Sequence, residues 1–413
     1  MIISFSVENY KSIREKSVLN FEANRKDAVF QNNFREFHAD DSRDTIGCLT
    51  TLGIWGANAS GKSNMIESIK DFHSLVANSS HYTLNDPIPE YKPFRLAEET
   101  QNAPTCFELD FCMGKARYLY RVEFLRDRIV NEELYRYGER GKVYLFKRSN
   151  PTDENVMIKR NKALLKGKIA VVSCMKNQLF LSCAANSSAG IATLVSIYQY
   201  LSNHDFTDSV KIKHDIAKYY EDSFYFRQLE AFIVSIDIGV SKVEMKEDKY
   251  SSNDKIPFFY HGENADAFRL SDESLGTQSV FKMIPFYLLI LEKGYLYFID
   301  EIESHLHPAV VALLIRMFHD PEINRKGAQL LFSSHALSLL DNEFMRRDQI
   351  CFTQKDSSGA TELYALDEFK IRKETDFYRW YQDGRFDALP DLQYDDLKQK
   401  IVTAFAEIAH ETK

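Results

Sequence analysis

Gly56-Ala57-Asn58-Ala59-Ser60-Gly61-Lys62-Ser63 decides the fold of this 413-residue chain. The octet has the spacing G-x-x-x-x-G-K-S; it follows the apolar stretch Leu52-Gly53-Ile54-Trp55 and precedes the helix-like run Asn64 to Val76. A strand that delivers such a loop to a helix N-terminus builds a phosphate cradle. The glycines let backbone N–H groups wrap a phosphate chain, and the helix terminus favours negative charge. Lys62 is expected to reach the β- and γ-phosphate oxygens as a mobile point charge. The Ser63 hydroxyl is expected to ligate Mg²⁺, which keeps most of its waters and takes few protein groups. The motif thus predicts binding of ATP or GTP; the alternative, an ordinary Gly-Ser turn, does not require these flanks.

Further along, Tyr295-Leu296-Tyr297-Phe298-Ile299 reads as a buried parallel strand and ends in Asp300-Glu301. Asp300 is expected to hold Mg²⁺ through its water shell, and Glu301 to orient or deprotonate the attacking water. Two acids at a strand end also cap helices, but their pairing with the loop favours the site. Upstream lies Ser271-Asp272-Glu273-Ser274-Leu275-Gly276-Thr277-Gln278, before an apolar helix-like run from Val280 to Leu291. Downstream lies Leu330-Leu331-Phe332-Ser333-Ser334-His335.

This order of elements resembles the layout of ABC-type ATPases. The resemblance implies that Ser274, the Gly276 amide and the helix N-terminus behind them cap the γ-phosphate held by a second subunit, so that hydrolysis needs a dimer. It also implies that His335 contacts the γ-phosphate or the attacking water from the same subunit. A broader resemblance is carried by the opening Ile2-Ile3-Ser4-Phe5-Ser6-Val7-Glu8-Asn9-Tyr10-Lys11-Ser12-Ile13 and by Asn58 and Asn64 of the loop region. It continues in Glu273 to Thr277, Ile299-Asp300-Glu301-Ile302-Glu303-Ser304-His305-Leu306-His307-Pro308, and Arg346-Arg347-Asp348-Gln349-Ile350. These blocks look like the AAA-type, ABC-like ATPases related to RecF, SMC and OLD proteins. The closing Tyr381-Gln382-Asp383-Gly384-Arg385-Phe386-Asp387-Ala388-Leu389-Pro390 is similar to Rlo-type ATPases of bacterial phage-defence and abortive-infection gene pairs.

The site implied is therefore Lys62, Glu301 and His335 for catalysis. Gly56, Asn58, Ala59, Ser60, Gly61, Lys62, Ser63, Asn64, Ser274 and Gly276 would bind nucleotide, and Ser63 and Asp300 would hold the metal. One departure stands out. After Gln178-Leu179-Phe180-Leu181-Ser182-Cys183-Ala184-Ala185 the family usually has a glutamine that contacts Mg²⁺, and here the residue is Asn186.

The expected fold class is α/β, a P-loop NTPase of ABC-ATPase type with an antiparallel β subdomain and an inserted helical lobe. Residues 1–90 are assigned to the first half of the nucleotide-binding lobe and 91–150 to the antiparallel unit. Residues 151–255 are assigned to the helical insertion, with an exposed loop at 246–255, and 256–413 to the second half of the lobe. In 91–150, Phe107, Leu109 and Phe111, then Tyr118, Tyr120, Val122 and Phe124, recur with period two. Heptads are not sustained, which excludes a long coiled-coil arm.

With 44 % hydrophobic residues, 30 Phe and 22 Tyr, the chain can fill a large core. No apolar run approaches the roughly 18–20 residues that span a bilayer, and the opening strand-like sequence with Glu8 is no signal peptide. Six cysteines without C-x-x-C spacing fit reduced thiols in the cytoplasm. A net charge of −8 argues against a protein that coats nucleic acid, although a local groove is compatible with it. The densest basic stretch, Lys159-Arg160-Asn161-Lys162 with Lys166 and Lys168, reads as a solvated helix face. Arg346, Arg347 and Asp348 fit either a bridge to another subunit or a surface ion-pair cluster.

The resemblance implies an ATP- and Mg²⁺-dependent ATPase that forms a homodimer, or an assembly of dimers, and controls a separate effector in anti-phage defence. The residues after His335 carry neither toprim-like acidic clusters nor an HNH pattern, so a nuclease of either type would be another chain. The rival reading is a RecF-like repair ATPase that clamps DNA directly; a third is a scaffold that binds ATP with little turnover.

Overall fold

A computed structural model describes residues 1–26, 29–40, 45–152, 155–165, 174–187, 191–202, 210–236, 239–247, 255–262, 266–304, 306–340, 344–369, 375–386 and 394–411. His305, Lys166, Lys168, most of the loop expected at 246–255 and residues 387–390 of the Rlo-like motif lie outside the described residues. The chain opens with β1 (Ile2–Glu8), β2 (Ser17–Asn20), the ribbon β3 (Phe34–His38) and β4 (Thr45–Leu49), then β5 (Thr51–Gly56) and α1 (Lys62–Asn78). A one-turn α2 (Glu98–Gln101) precedes β6 (Thr105–Met113), β7 (Ala116–Phe124), β8 (Ile129–Gly138), β9 (Gly141–Thr152) and β10 (Asn155–Arg160). Helices α3 (Phe180–Ala185), α4 (Ala192–Ser202), α5 (Val210–Glu221) and α6 (Ser223–Ile236) follow, and then β11 (Lys242–Glu247), β12 (Lys255–Tyr260) and β13 (Phe268–Arg269). The last part runs α7 (Leu275–Lys293), β14 (Leu296–Ile299), α8 (Pro308–His319), β15 (Gln329–Ser333), β16 (Ile350–Lys355), β17 (Thr361–Ala365), α9 (Phe377–Gln382) and α10 (Tyr394–Glu411).

The central sheet has the order β14-β15-β5-β16-β17, parallel except for β17. Every residue of β5 is buried, as a strand covered on both faces requires. Alternation along it divides two cores: Leu52 and Ile54 pack on the α1 side with Phe298 and Leu331, while Trp55 packs on the other with Leu330, Phe332 and Phe352. The Trp55 ring meets Phe332 edge-on at 5.5 Å. Parallel pairing brings the carboxyl ends of β5, β15 and β14 side by side, with Ile54 opposite Ser333 and Phe332 opposite Ile299. That end of the sheet carries the phosphate loop. The α/β P-loop NTPase fold with an antiparallel sheet is the architecture expected from the motif order.

A second sheet, β10-β9-β8-β7-β6-β1-β2, is antiparallel throughout. The boundary expected at residue 90 does not separate the two sheets, because β1 pairs with β6 (Phe5 opposite Leu109, Val7 opposite Phe107). The pairing follows from period-two apolar rows that share one cover, the α1 stripe Met65, Ile66, Ile69, Phe72, Leu75 and Val76. Phe72 sits 5.7 Å from Phe5 and 6.0 Å from Tyr120. Each such buried ring or aliphatic chain contributes on the order of 2 kcal/mol. The same sheet runs past the boundary expected at 150, and the basic stretch expected on a helix lies partly in it, with Lys159 and Arg160 on β10. Gln329 joins the sheets: its Nε2 donates to Ile2 O (2.9 Å) and Leu49 O (2.8 Å), and its Oε1 accepts from Ile2 N. The expected helical insertion contains α3 to α6, but β11 to β13 form a separate three-stranded sheet across the boundary at 255.

Arg346 and Asp348 form neither a surface cluster nor an exposed bridge. The Arg346 side chain is buried and grips both Asp348 oxygens (2.9 and 2.8 Å), Val29 O and Asn24 O. Among the described residues no helix is long and apolar enough to cross a membrane.

Candidate functional site

The loop between β5 and α1 is shaped by backbone that few residues adopt. Gly56 has φ +153° and Gly61 φ +115°, and the non-glycine Ala59 has φ +63°. A Cβ on Gly56 would stand 2.4 Å from Thr353 O, and one on Gly61 would stand 2.1 Å from Thr361 Oγ1, so only glycine fits. Three hydroxyl residues far away in sequence brace the loop from beneath. Ser60 Oγ hydrogen-bonds Thr353 Oγ1 at 2.7 Å, Thr361 Oγ1 donates to Ser60 O at 2.9 Å, and Asn64 Nδ2 donates to Ser12 Oγ at 2.6 Å. Asn64 is thereby held by the β1–β2 connection. Asn58, Ala59 and Ser63 are exposed on the outer side.

No side chain caps α1 at Gly61. Its first N–H groups therefore lack the partner that an N-cap supplies, and they end at the loop. Lys62 is 5 % exposed, and its Nζ donates to Gly56 O and Ala57 O, both at 2.9 Å. Burial lowers its pKa, while Asp300, Glu301 and Glu303 push it up. A desolvated ammonium held by two carbonyls of the loop it closes, beside an uncapped helix end, has the chemistry to take an anion. The cradle fits a phosphate chain.

Three acids, Asp300, Glu301 and Glu303, follow β14. Ser333 at the end of β15 ties down the first two: its Oγ donates to Asp300 Oδ1 and accepts Glu301 N–H at 2.8 Å, and Ser333 O accepts Ile302 N–H at 3.0 Å. Glu301 has φ +52°, a left-handed conformation that costs a non-glycine residue about 1–2 kcal/mol and that these bonds enforce. His335 is exposed, and its backbone N–H donates to Glu303 Oε1. Lys62, Ser63, Asp300, Glu301 and His335 thus meet at one end of the central sheet.

Ser274 and Gly276 stand elsewhere. Ser274 is the N-cap of α7, its Oγ accepting Thr277 N–H at 3.1 Å. With Gly276 it borders a pocket of about 160 Å³ whose other walls include Ile233 and Ile236 of α6, Leu306 and His307. No residue of the phosphate loop lines that pocket. Leu275, between them, is 70 % exposed.

Asn186 is not at this site. Its amide donates to Ser80 Oγ (3.2 Å) and Ser182 O (2.9 Å), beyond the C-terminal end of α1. The 17 residues of α1 put about 25 Å between that end and the phosphate loop. The segment before it anchors α3 to the antiparallel sheet instead, with the buried Glu132 carboxylate accepting Phe180 N–H (2.6 Å) and Leu181 N–H (2.9 Å). Sequence reading missed the bracing roles of Ser12, Thr353 and Thr361: Ser12 reaches Asn64 across 52 residues, and the two threonines reach Ser60 across about three hundred, so neither contact leaves a local signal. Ser333 was signalled by its place at a strand end beside His335.

A family model described as "AAA domain, putative AbiEii toxin, Type IV TA system" matches residues 189–341, which hold Ser274, Asp300, Glu301 and His335 but not the phosphate loop. No curated protein matches the chain. Among solved structures, the chain is similar to the SMC head domain from Thermotoga maritima at 15 % identity, covering 88 % of this chain and 98 % of that one with a TM-score of 0.41. It is also similar to an SmcHead bound to the C-winged helix domain of ScpA, at 13 % identity, covering 90 % and 99 % with a TM-score of 0.39.

Proposed function

We propose that the chain is an ATPase that works as a nucleotide-dependent switch, closing into a homodimer around two ATP molecules and thereby controlling a separate effector in anti-phage defence. The single observation that carries this reading is the division of the site. Lys62, Asp300, Glu301 and His335 lie at one sheet end, whereas Ser274 and Gly276 head a different helix with an exposed Leu275 between them. A second copy can bring its α7 N-terminus to the γ-phosphate that this chain's own α7 does not cover.

In this reading, Lys62 exchanges its two loop carbonyls for phosphate oxygens, and the α1 N–H groups hold the same chain. Mg²⁺, when held by Ser63 and Asp300, would neutralise phosphate charge. Glu301 receives the proton of the attacking water, its backbone held by the N–H bond to Ser333. His335, one residue beyond Ser334, reports the γ-phosphate. Catalysis is mostly positioning and electrostatics. The defence role is supported by the matching family model's description, "putative AbiEii toxin, Type IV TA system", and a net charge of −8 counts against a DNA clamp.

The test is the native mass of Glu301→Gln with and without ATP. The variant should lose turnover and accumulate as an ATP-bound dimer. A variant that hydrolyses ATP at the wild-type rate, or remains monomeric with ATP, would refute the reading.

A further inference from the structure

Glu303 stands on the turn after β14, three residues past Asp300, and its two carboxylate oxygens are in different situations. Oε1 accepts the backbone N–H of His335. Oε2 is sealed from solvent and has no hydrogen-bond partner among the described residues. A buried carboxylate oxygen without a donor is costly, and native structures rarely keep one without a reason. Lys62, whose ammonium feels Glu303 together with Asp300 and Glu301, spends its hydrogen bonds on Gly56 O and Ala57 O instead.

The turn gives Glu303 little freedom to escape. Ser333 bonds Asp300, Glu301 and Ile302, Ser304 N–H donates to Glu301 O at 2.9 Å, and Leu306 N–H donates to Glu303 O at 2.8 Å. The turn backbone is thereby fixed, and the bond from His335 N–H to Oε1 holds the carboxylate that carries the unpartnered oxygen. Clamping His335 needs only one oxygen, and an amide would serve that purpose equally well.

We propose that Glu303 is a positioning residue for hydrolysis: Oε1 fixes the His335 segment, and Oε2 accepts a hydrogen bond from a water that enters with the nucleotide, presenting that water to Glu301. Glu301 remains the base; Glu303 gains no proton, and no bond is made or broken at it. The inference rests on reading the site as an ATPase.

The experiment is steady-state ATP hydrolysis and thermal melting for wild type, Glu303→Gln and Glu303→Asp. Glutamine can still offer its carbonyl oxygen to His335 N–H but puts an NH₂ donor where Oε2 accepts. Its kcat should fall at least tenfold, with KM within threefold and Tm within about 2 °C of wild type. Aspartate keeps two acceptors with a shorter reach and should recover part of that loss, which also serves if the glutamine variant folds poorly. A Glu303→Gln enzyme with wild-type kcat, a loss confined to KM, or an aspartate variant no better than glutamine would overturn the inference while leaving the ATPase reading intact. A wild type that binds ATP without any turnover would overturn both.

Discussion

Gly61→Ala is the perturbation whose cost the structure lets one work out. The new methyl would sit 2.1 Å from Thr361 Oγ1, 2.6 Å from its Cγ2 and 2.9 Å from its Cβ. Thr361 has little room to yield. Its Oγ1 donates to Ser60 O (2.9 Å) and is paired with Ser12 Oγ (2.8 Å), and its N–H donates to Ser12 O (2.7 Å). Alanine at φ +115° adds about 1–2 kcal/mol of backbone strain. Overpacking against a held neighbour adds about 1–3 kcal/mol. The total, about 2–5 kcal/mol, is relieved most readily by displacing the loop that must wrap the phosphates. Even the lower figure corresponds to roughly a 30-fold loss of affinity. Calorimetric titration with a non-hydrolysable ATP analogue should show that loss, and the melting temperature should drop. Adding Thr361→Ala removes the two closest contacts and should recover part of the melting temperature. A Gly61→Ala protein that binds the analogue within threefold of wild type and melts at the same temperature would refute the reasoning.

Arg346→Ala should destabilise the fold by about 3–5 kcal/mol in urea denaturation, because it strands the buried Asp348 carboxylate and two backbone carbonyls. His319 is buried against Thr51 Oγ1 (2.9 Å) and Gln349 Nε2 (3.1 Å), and burial, then Arg35 and Arg316, depress its pKa from 6.5 to about 3. The native state therefore refuses a proton that the unfolded chain takes up, so stability is full above pH 6.5 and falls as pH drops toward 3. The slope of unfolding free energy against pH between 6 and 4 should be steeper in wild type than in His319→Gln by up to about 1.4 kcal/mol per unit; equal slopes would contradict it.

How much was legible in the sequence depended on the distance over which each signal acts. The phosphate loop, the Asp300-Glu301 strand end and the Ser274 cap are written in consecutive residues, since strand, loop and helix start are local chemistry. The membership of β1 in the antiparallel sheet was not legible: its partner β6 lies about a hundred residues on, and an apolar strand looks the same in either sheet. The same holds for Thr353 and Thr361, two unremarkable threonines until the sheet carries them under the loop. Asn186 stood out only as a departure from the glutamine that the family resemblance leads one to expect, and its own neighbours, Ser80 and Ser182, place it beyond the C-terminal end of α1. Glu303 stood in the sequence only as one member of the Ile299–Pro308 block, because what distinguishes it is the burial of its Oε2, which appears only when the turn closes on β15.

The central claim is that one chain supplies the phosphate loop and its partner supplies Ser274, and mixing two inactive variants tests it most directly. Lys62→Ala removes the loop cation, and Ser274→Arg fills the α7 end with a bulky side chain; each protein alone should hydrolyse no ATP. In an equal mixture about half the dimers are mixed, each with one intact composite site, so activity should return to about a quarter of wild type. A mixture no more active than its components would contradict the account.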